Sequence, residues 1–356
     1  MKHDSRRIIR ILLQIILMVA IFGALLWYVG IGSLYNSLLN IKLEYLILAL
    51  LAYFGINLLF TVRLRIVLKK EGIKTSFGKT LLAQYAGMLT SDVTPGRSGY
   101  VLTPLYLRDQ DVPTSKSLSG ILGIQTIEFL VKVVGGIGAL LFLIETVQLE
   151  TWQFGVAALG IALMLTGALL LAALSWSHRA ISLFDRIAKS RFLKRFTGGL
   201  MGKIEEYKEG AQNTRKAIPE IILLTFTCWI LKGFEWWFIG LALGIPIPWI
   251  GFFLLHPLVT ALGFVPITPA GAGVQEFGIV GIFGLLVNVS ANPELAGPIG
   301  AFAVLSRVLL IVEDLAGVPQ IAKSTSSLVF SRKTPDKPAI EQLHTENNVN
   351  EAENIG

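Results

Sequence analysis

Ten ionisable side chains stand within or beside long apolar stretches of this chain: Asp92, Arg97, Glu128, Lys132, Lys232, Glu235, Glu276, Arg307, Glu313 and Asp314. A charge at mid-bilayer costs at least about 2.5–3.5 kcal/mol on insertion, so such groups pair or line a wet cavity. Spacing sorts them. Glu128 and Lys132 are four residues apart with the acid first, which puts them on one helix face in the favourable order. Lys232 and Glu235, three apart, can pair in the same way. These pairs fit either of two roles, self-neutralisation that lets a helix insert or charges that rearrange with a moving ion. Asp92 joins them as a candidate for charge coupling, and Glu313 and Asp314 read as interfacial. Arg97 and Arg307 have no acid three or four residues away, so each needs a distant partner or an anionic ligand.

Arg97 lies in the run Pro95-Gly96-Arg97-Ser98-Gly99, where proline and glycine interrupt a helix and leave backbone N–H groups unpaired. A guanidinium, free N–H groups and a half-helix N-terminus together make a phosphate site. A second break offers Gly271 and Gly273, with a half-helix expected from about Val274 whose positive end can face the same anion. Catalytic signatures are missing: there is no HExxH, GxSxG or GxxxxGK[ST], and no Cys/His spacing for a metal. His256 has no companion histidine and reads as a gap-filling side chain. The single cysteine, Cys228, sits in an apolar run as a small buried residue. No cofactor is expected.

The elements that hold these charges are membrane helices. Of 356 residues 53% are hydrophobic and 15% charged, against roughly 25% charged in a soluble domain. Mean hydropathy is +0.64. Apolar runs near 10–30, 44–62, 117–144, 152–175, 218–244 and 299–320 each approach the about 20 residues of a span. The first is too long for a cleavable signal and reads as a retained anchor. Two further apolar regions, 80–107 and 249–289, are broken by Pro, Gly and charge at their centres. The expected fold is all-α, with about six spans and two re-entrant hairpins.

Twenty-six of the 31 Lys and Arg fall in residues 1–10, 63–79, 108–116, 176–217 and 321–356, whereas the opposite loops carry Lys42 alone. That asymmetry places both termini in the cytoplasm of a multi-pass cell-membrane protein. Its +7 formal charge then reflects topology and contact with anionic lipid, and nucleic acid is not an expected partner. If each broken region returns to the side it entered, span–hairpin–span occurs twice in opposite orientation. Thr-Pro-x-x-x-Gly recurs at both breaks, Thr94–Gly99 and Thr268–Gly273. Inverted repeats with broken helices at the midplane are a transporter architecture. Within 176–217, Ile181, Phe184, Ile187, Phe196, Leu200, Ile204 and Tyr207 fall mostly at helical steps. The segment reads either as amphipathic helices on the inner membrane surface or as a solvated loop. Residues 326–356 are polar and expected to be disordered, leaving 1–325 as the membrane domain.

The runs TPGRSGYVLTPLYLR (94–108) and TPAGAGVQE (268–276), with Arg307 in the last span, resemble the flippase-like family related to the lysylphosphatidylglycerol synthase transmembrane region. The family motifs read Pro-Gly-Arg-x-Gly-Glu and Thr-Pro-Gly-Gly-x-Gly-x-x-Glu. Here Tyr100 takes the first glutamate's place, Thr103 stands where an arginine is usual, and Ala270 replaces a glycine, while Gly271, Gly273 and Glu276 match. The resemblance implies handling of anionic lipids such as aminoacylated phospholipids or polyisoprenoid carriers. Aminoacyl transfer is not expected of this chain, whose longest insert is 176–217. Three readings compete. A translocase would hold a headgroup with Arg97 and Arg307. A lipid-modifying enzyme would use Glu128, Glu276 or Asp92 as acid or base. A scaffold would dock a cytoplasmic enzyme at 176–217.

Overall fold

Backbone polar groups in hydrocarbon must be satisfied within the protein, and a helix does so inside one segment. The computed structural model describes residues 2–147, 149–177, 179, 204–263 and 268–331, and among these there is no β-strand. Helix α1 (Lys2–Val29) meets α2 (Ile31–Leu39) at a 79° bend at Gly30. α3 (Leu43–Lys70) leads to the first broken region: α4 (Phe77–Asp92), a tight turn, a 3-10 turn at Ser98–Leu102 and the short α5 (Thr103–Tyr106). Next come α6 (Thr114–Thr146), α7 (Thr151–Trp176), α8 (Ile204–Arg215) and α9 (Ile218–Ala242). The second broken region is α10 (Trp249–Gly263) and α11 (Val274–Leu286), and α12 (Ala296–Asp314) and α13 (Val318–Ser331) close the described chain. Five helical stretches among the described residues are long and apolar enough to cross a membrane, and α1 with α2 would make a sixth.

Burial is inverted relative to a soluble protein. On α3, Ile47, Leu51 and Phe54 are exposed while Asn57, Thr61 and Arg63 are buried, as expected where lipid is the solvent and polar groups must seek partners inside. The span expected at 44–62 runs on to Lys70 because Leu64, Val67 and Leu68 continue the inward stripe. Arg63, which charge counting assigns to a loop, is therefore an interior residue with 1% exposure. Likewise, α13 carries the helix beyond residue 325 to Ser331; the rest of the tail lies outside the described residues.

Three helices pass the same layers in turn. Ala49 of α3, Ala139 and Leu143 of α6, and Trp236 and Ile239 of α9 join one apolar cluster with Phe252, Phe283 and Phe302. Leu64 and Val67, Ile121 and Ile124, and Ile221 of the same helices join another. Between these layers lie Asn57, Glu128 and Lys232, so the charged middle is bracketed by packed hydrocarbon.

The broken regions explain themselves at their centres. With 16, 15 and 13 residues, α4, α10 and α11 are about 20–24 Å long, short of the roughly 30 Å hydrocarbon thickness. Arg97 N–H donates to Thr94 O at 3.1 Å and Gly271 N–H to Thr268 O at 3.2 Å. Proline succeeds the threonine in each, and the next residue has positive φ (Gly96 60°, Ala270 48°), the signature of a type II turn. A second left-handed residue comes next, Arg97 at 54° and Gly271 at 67°. The two turns touch: Ala270 N–H donates to Thr94 O at 2.9 Å, and Pro95 pairs antiparallel with Pro269.

Gly271 is fixed by both conformation and space, since a Cβ there would fall on the Gly263 backbone. Gly271→Ala should therefore lower stability by at least about 2 kcal/mol. Thermal unfolding in detergent reads this directly, and a wild-type melting temperature would remove the claim of close approach.

Most of 176–217 lies outside the described residues, including Ile181, Phe184, Ile187, Phe196 and Leu200. Its end, α8, docks on helix ends rather than lying as a free amphipathic face. Tyr207 Oη–H donates to Leu174 O at 2.9 Å, Lys116 pairs with Glu209 at 3.0 Å, and Ser115 donates to Glu206. Thr214 Oγ1–H lies 3.2 Å from Glu71 Oε1, while Glu71 Oε2 is buried without a partner. Burial pushes the Glu71 carboxyl up to about 8. The folded state thus binds a proton that the unfolded chain releases near roughly 4.3, so stability falls as pH rises from about 5 towards 8. Glu71→Gln should flatten that slope, measured as melting temperature against pH; an unchanged slope would assign it elsewhere.

Candidate functional site

Two adjoining cavities, of about 90 and 30 Å³, open between α3, α6, α9, α10 and α12 beside the touching turns. Either volume holds at least one water molecule. Tyr53, Glu128, Lys132, Thr225 and Lys232 line the larger. Gln275, Ser306, Arg307 and Trp236 line the smaller. Arg97, Lys232, His256, Thr260 and Leu310 are common to both. His256, expected to fill a gap, stands edge-on to the Trp236 ring at 4.7 Å and faces this space.

Nine of the ten charges expected in or beside the membrane have a protein partner here, and the exception is Glu313, whose two carboxyl oxygens are buried without a hydrogen bond among the described residues. Glu128 accepts from Lys132 at 2.8 Å and from Arg63 at 3.0 Å, and Arg63 also donates to Thr225 at 2.7 Å. Lys232 pairs with Glu235 at 2.5 Å, and its ammonium lies 4.5 Å from the centre of the Tyr53 ring. Arg307 pairs with Glu276 and is 3.3 Å from Gln275 Oε1. Arg97 is paired as well, with Asp92 at 2.9 Å. The acid is five residues away, a separation that no straight helix would close; the left-handed turn brings the arginine back over the end of α4. The expectation that Arg97 lacks a local acid is corrected by that turn.

The backbone contributes less than expected. Gly99 N–H donates to Thr94 Oγ1 at 2.7 Å, and Gly273 N–H to Glu276 Oε2 at 2.6 Å. The N-terminus of α11 is thus already capped by its own carboxylate, and the chain after Arg97 forms a 3-10 turn instead of a half-helix. Gly96, Gly99, Gly271 and Gly273 shape the turns and do not line either cavity. Tyr100 is buried with its hydroxyl on Gln84 at 2.8 Å, also away from the cavities. Asp314, read from sequence as interfacial, is fully buried and accepts from Tyr53 Oη–H at 2.9 Å. No group of three or more metal-ligating side chains stands together among the described residues.

In three of the four pairs the cation and the acid occupy different depths. Side-chain exposure is 15% for Arg97, 17% for Lys132, 14% for Lys232 and 12% for Arg307, against 0% for Asp92 and 1% for Glu235 and Glu276. These three acids stand behind their cations, whereas Glu128, 15% exposed, lines the larger cavity beside Lys132.

Such an arrangement, a cation-faced cavity between helices broken by Pro/Gly turns, defines a polytopic helical membrane protein with an intramembrane polar site. The chain belongs to the family of the lysylphosphatidylglycerol synthase TM region, whose profile matches residues 13–312. It is also similar to a UPF0104 membrane protein of Pyrococcus horikoshii, 24% identical over 280 residues that cover 74% of this chain and 84% of the relative.

Proposed function

We propose that the protein moves an anionic lipid headgroup, of a phospholipid or a polyisoprenoid phosphate, through the cation-faced cavity. One observation carries the reading: Arg97, Lys132, Lys232 and Arg307 line the cavities, and the acids paired with Arg97, Lys232 and Arg307 are buried behind them. A phosphate can enter by drawing these cations from their acids, so that its own charge is never without a counter-ion along the way. Arg97 and Arg307 supply planar forks suited to phosphate oxygens. The touching turns support an inverted repeat whose halves rock about the site, with both termini on the cytoplasmic face, where the loop Lys and Arg also meet anionic lipid. Glu128, Glu276 and Asp92 are each engaged by a cation, which disfavours their use as free catalytic acids or bases.

Reconstitution tests this. Vesicles containing the protein should move short-chain fluorescent phosphatidylglycerol between leaflets at least ten times faster than protein-free vesicles, without altering it, and leave phosphatidylcholine unmoved. A chemically modified lipid would replace this reading with that of an enzyme. No movement of phosphatidylglycerol or of a polyisoprenoid phosphate would replace it with that of a scaffold.

A further inference from the structure

Behind Arg97 lie two acids on helices that pack together, Asp92 on α4 and Asp314 on α12. Asp92 Oδ1 is held by Arg97, and Asp314 Oδ2 by the Tyr53 hydroxyl. The remaining oxygens, Asp92 Oδ2 and Asp314 Oδ1, are each buried without a partner. Across that helix contact the two carboxyls are hydrogen-bonding neighbours. Both side chains are fully removed from solvent, Asp92 at 0% and Asp314 at 0%.

Two bare carboxylates in contact repel strongly where water is excluded, and each would leave a lone oxygen unsatisfied. One proton between them resolves both problems. It converts the facing oxygens into an O–H···O⁻ bond, and the single charge that remains is matched by the single cation Arg97. The neighbouring groups do not offer another solution. Tyr53 of α3 has one proton and gives it to Asp314 Oδ2. Lys232 of α9 is committed to Glu235. Tyr85 on α4 and Glu313 beside Asp314 add no positive charge.

We propose that Asp92 and Asp314 form a proton-binding site that shares one proton in the resting protein and takes up a second when an anion draws Arg97 away. The second half rests on the headgroup reading. Arg97 faces both cavities, so an anion that engages its guanidinium weakens the bond to Asp92. The pair then carries a buried negative charge with no counter-ion, and a proton from the aqueous phase removes it. By linkage the converse holds: protonation frees Arg97 and strengthens anion binding. Anion and proton thus enter together and leave together, which would couple headgroup movement to a proton gradient.

The resting proton is tested without any lipid. Protein labelled with carboxyl-¹³C aspartate should show an infrared C=O band of a buried protonated carboxyl at neutral pH, shifted from its position in unlabelled protein. Aspartate labelling separates it from Glu71, Glu235 and Glu313. The band should vanish in Asp314→Asn, an isosteric change that keeps the Asp92–Arg97 pair. Absence of the shifted band in wild-type protein overturns the site. Coupling is tested in lightly buffered detergent with dihexanoyl phosphatidylglycerol, whose phosphodiester does not itself titrate near neutrality. Wild type should take up about one proton per lipid bound, and Asp92→Asn should bind lipid with no uptake. Binding to wild type without uptake overturns the coupling and leaves the headgroup reading intact. Failure to bind the lipid counts against the headgroup reading and removes the coupling with it, while the infrared band decides the proton site independently.

Discussion

Glu128→Ala is expected to cost about 3–5 kcal/mol of stability, the largest loss from any single change among the charged residues. Removing one member of a buried ion pair strands its partner, and the stranded charge cannot be hydrated. Arg63 is that partner, 1% exposed, and the neutral Thr225 hydroxyl and the Phe60 ring, 4.6 Å from its guanidinium carbon, are poor replacements for a carboxylate. Lys132, at 17% exposure and facing the cavity, can find water and suffers less. The asymmetry gives a second arm. Arg63→Met with Glu128→Leu removes the stranded charge, and should recover more than half of the loss. Detergent unfolding of the two variants decides it. Equal instability in both would mean that the site needs the triad itself, and near-wild-type stability in Glu128→Ala would mean that Arg63 reaches water.

The sequence disclosed the part of this site that obeys straight-helix geometry. Glu128 with Lys132 and Lys232 with Glu235 were readable because a helix places positions three and four apart side by side. Asp92 with Arg97 was not, because their contact depends on two successive left-handed residues, and backbone conformation at a turn is invisible to periodicity. Arg63 was hidden by charge counting. It shares a short run with Arg65, Lys69 and Lys70, and a run of cations reads as loop until the inward stripe of Leu64, Val67 and Leu68 is weighed against it. Asp314 was misplaced for a related reason: α13 continues the last span beyond it, so a residue expected at an interface is buried. The all-α fold, the broken regions and the recurrence of Thr-Pro at their centres were legible, since proline, glycine and hydrocarbon thickness act locally. The contact between those centres is tertiary and carries no local signal.

Arg97→Lys is expected to leave the protein folded and to reduce phosphatidylglycerol movement at least ten-fold, a difference of about 1.4 kcal/mol in the barrier. Position 97 lies in left-handed backbone, φ 54°, and arginine and lysine meet the same steric penalty there, so the turn should not discriminate between them. Either side chain carries one positive charge and can pair with Asp92 at the end of α4. The difference is the fork. In wild type, Nη2 holds Asp92 at 2.9 Å while Nε has no partner, so the guanidinium has donors to meet a second oxyanion before it leaves the first. An ammonium that binds Asp92 must largely let go before it can bind phosphate. Arginine can therefore pass an anion along the cavity in overlapping steps, whereas lysine has to break one contact to make the next. Melting temperature and lipid movement measured on the same reconstituted variant separate the possibilities. If both fall together, Arg97 is a structural ion-pair residue. If both stay at wild-type values, positive charge alone suffices and the planar fork plays no part in holding the headgroup.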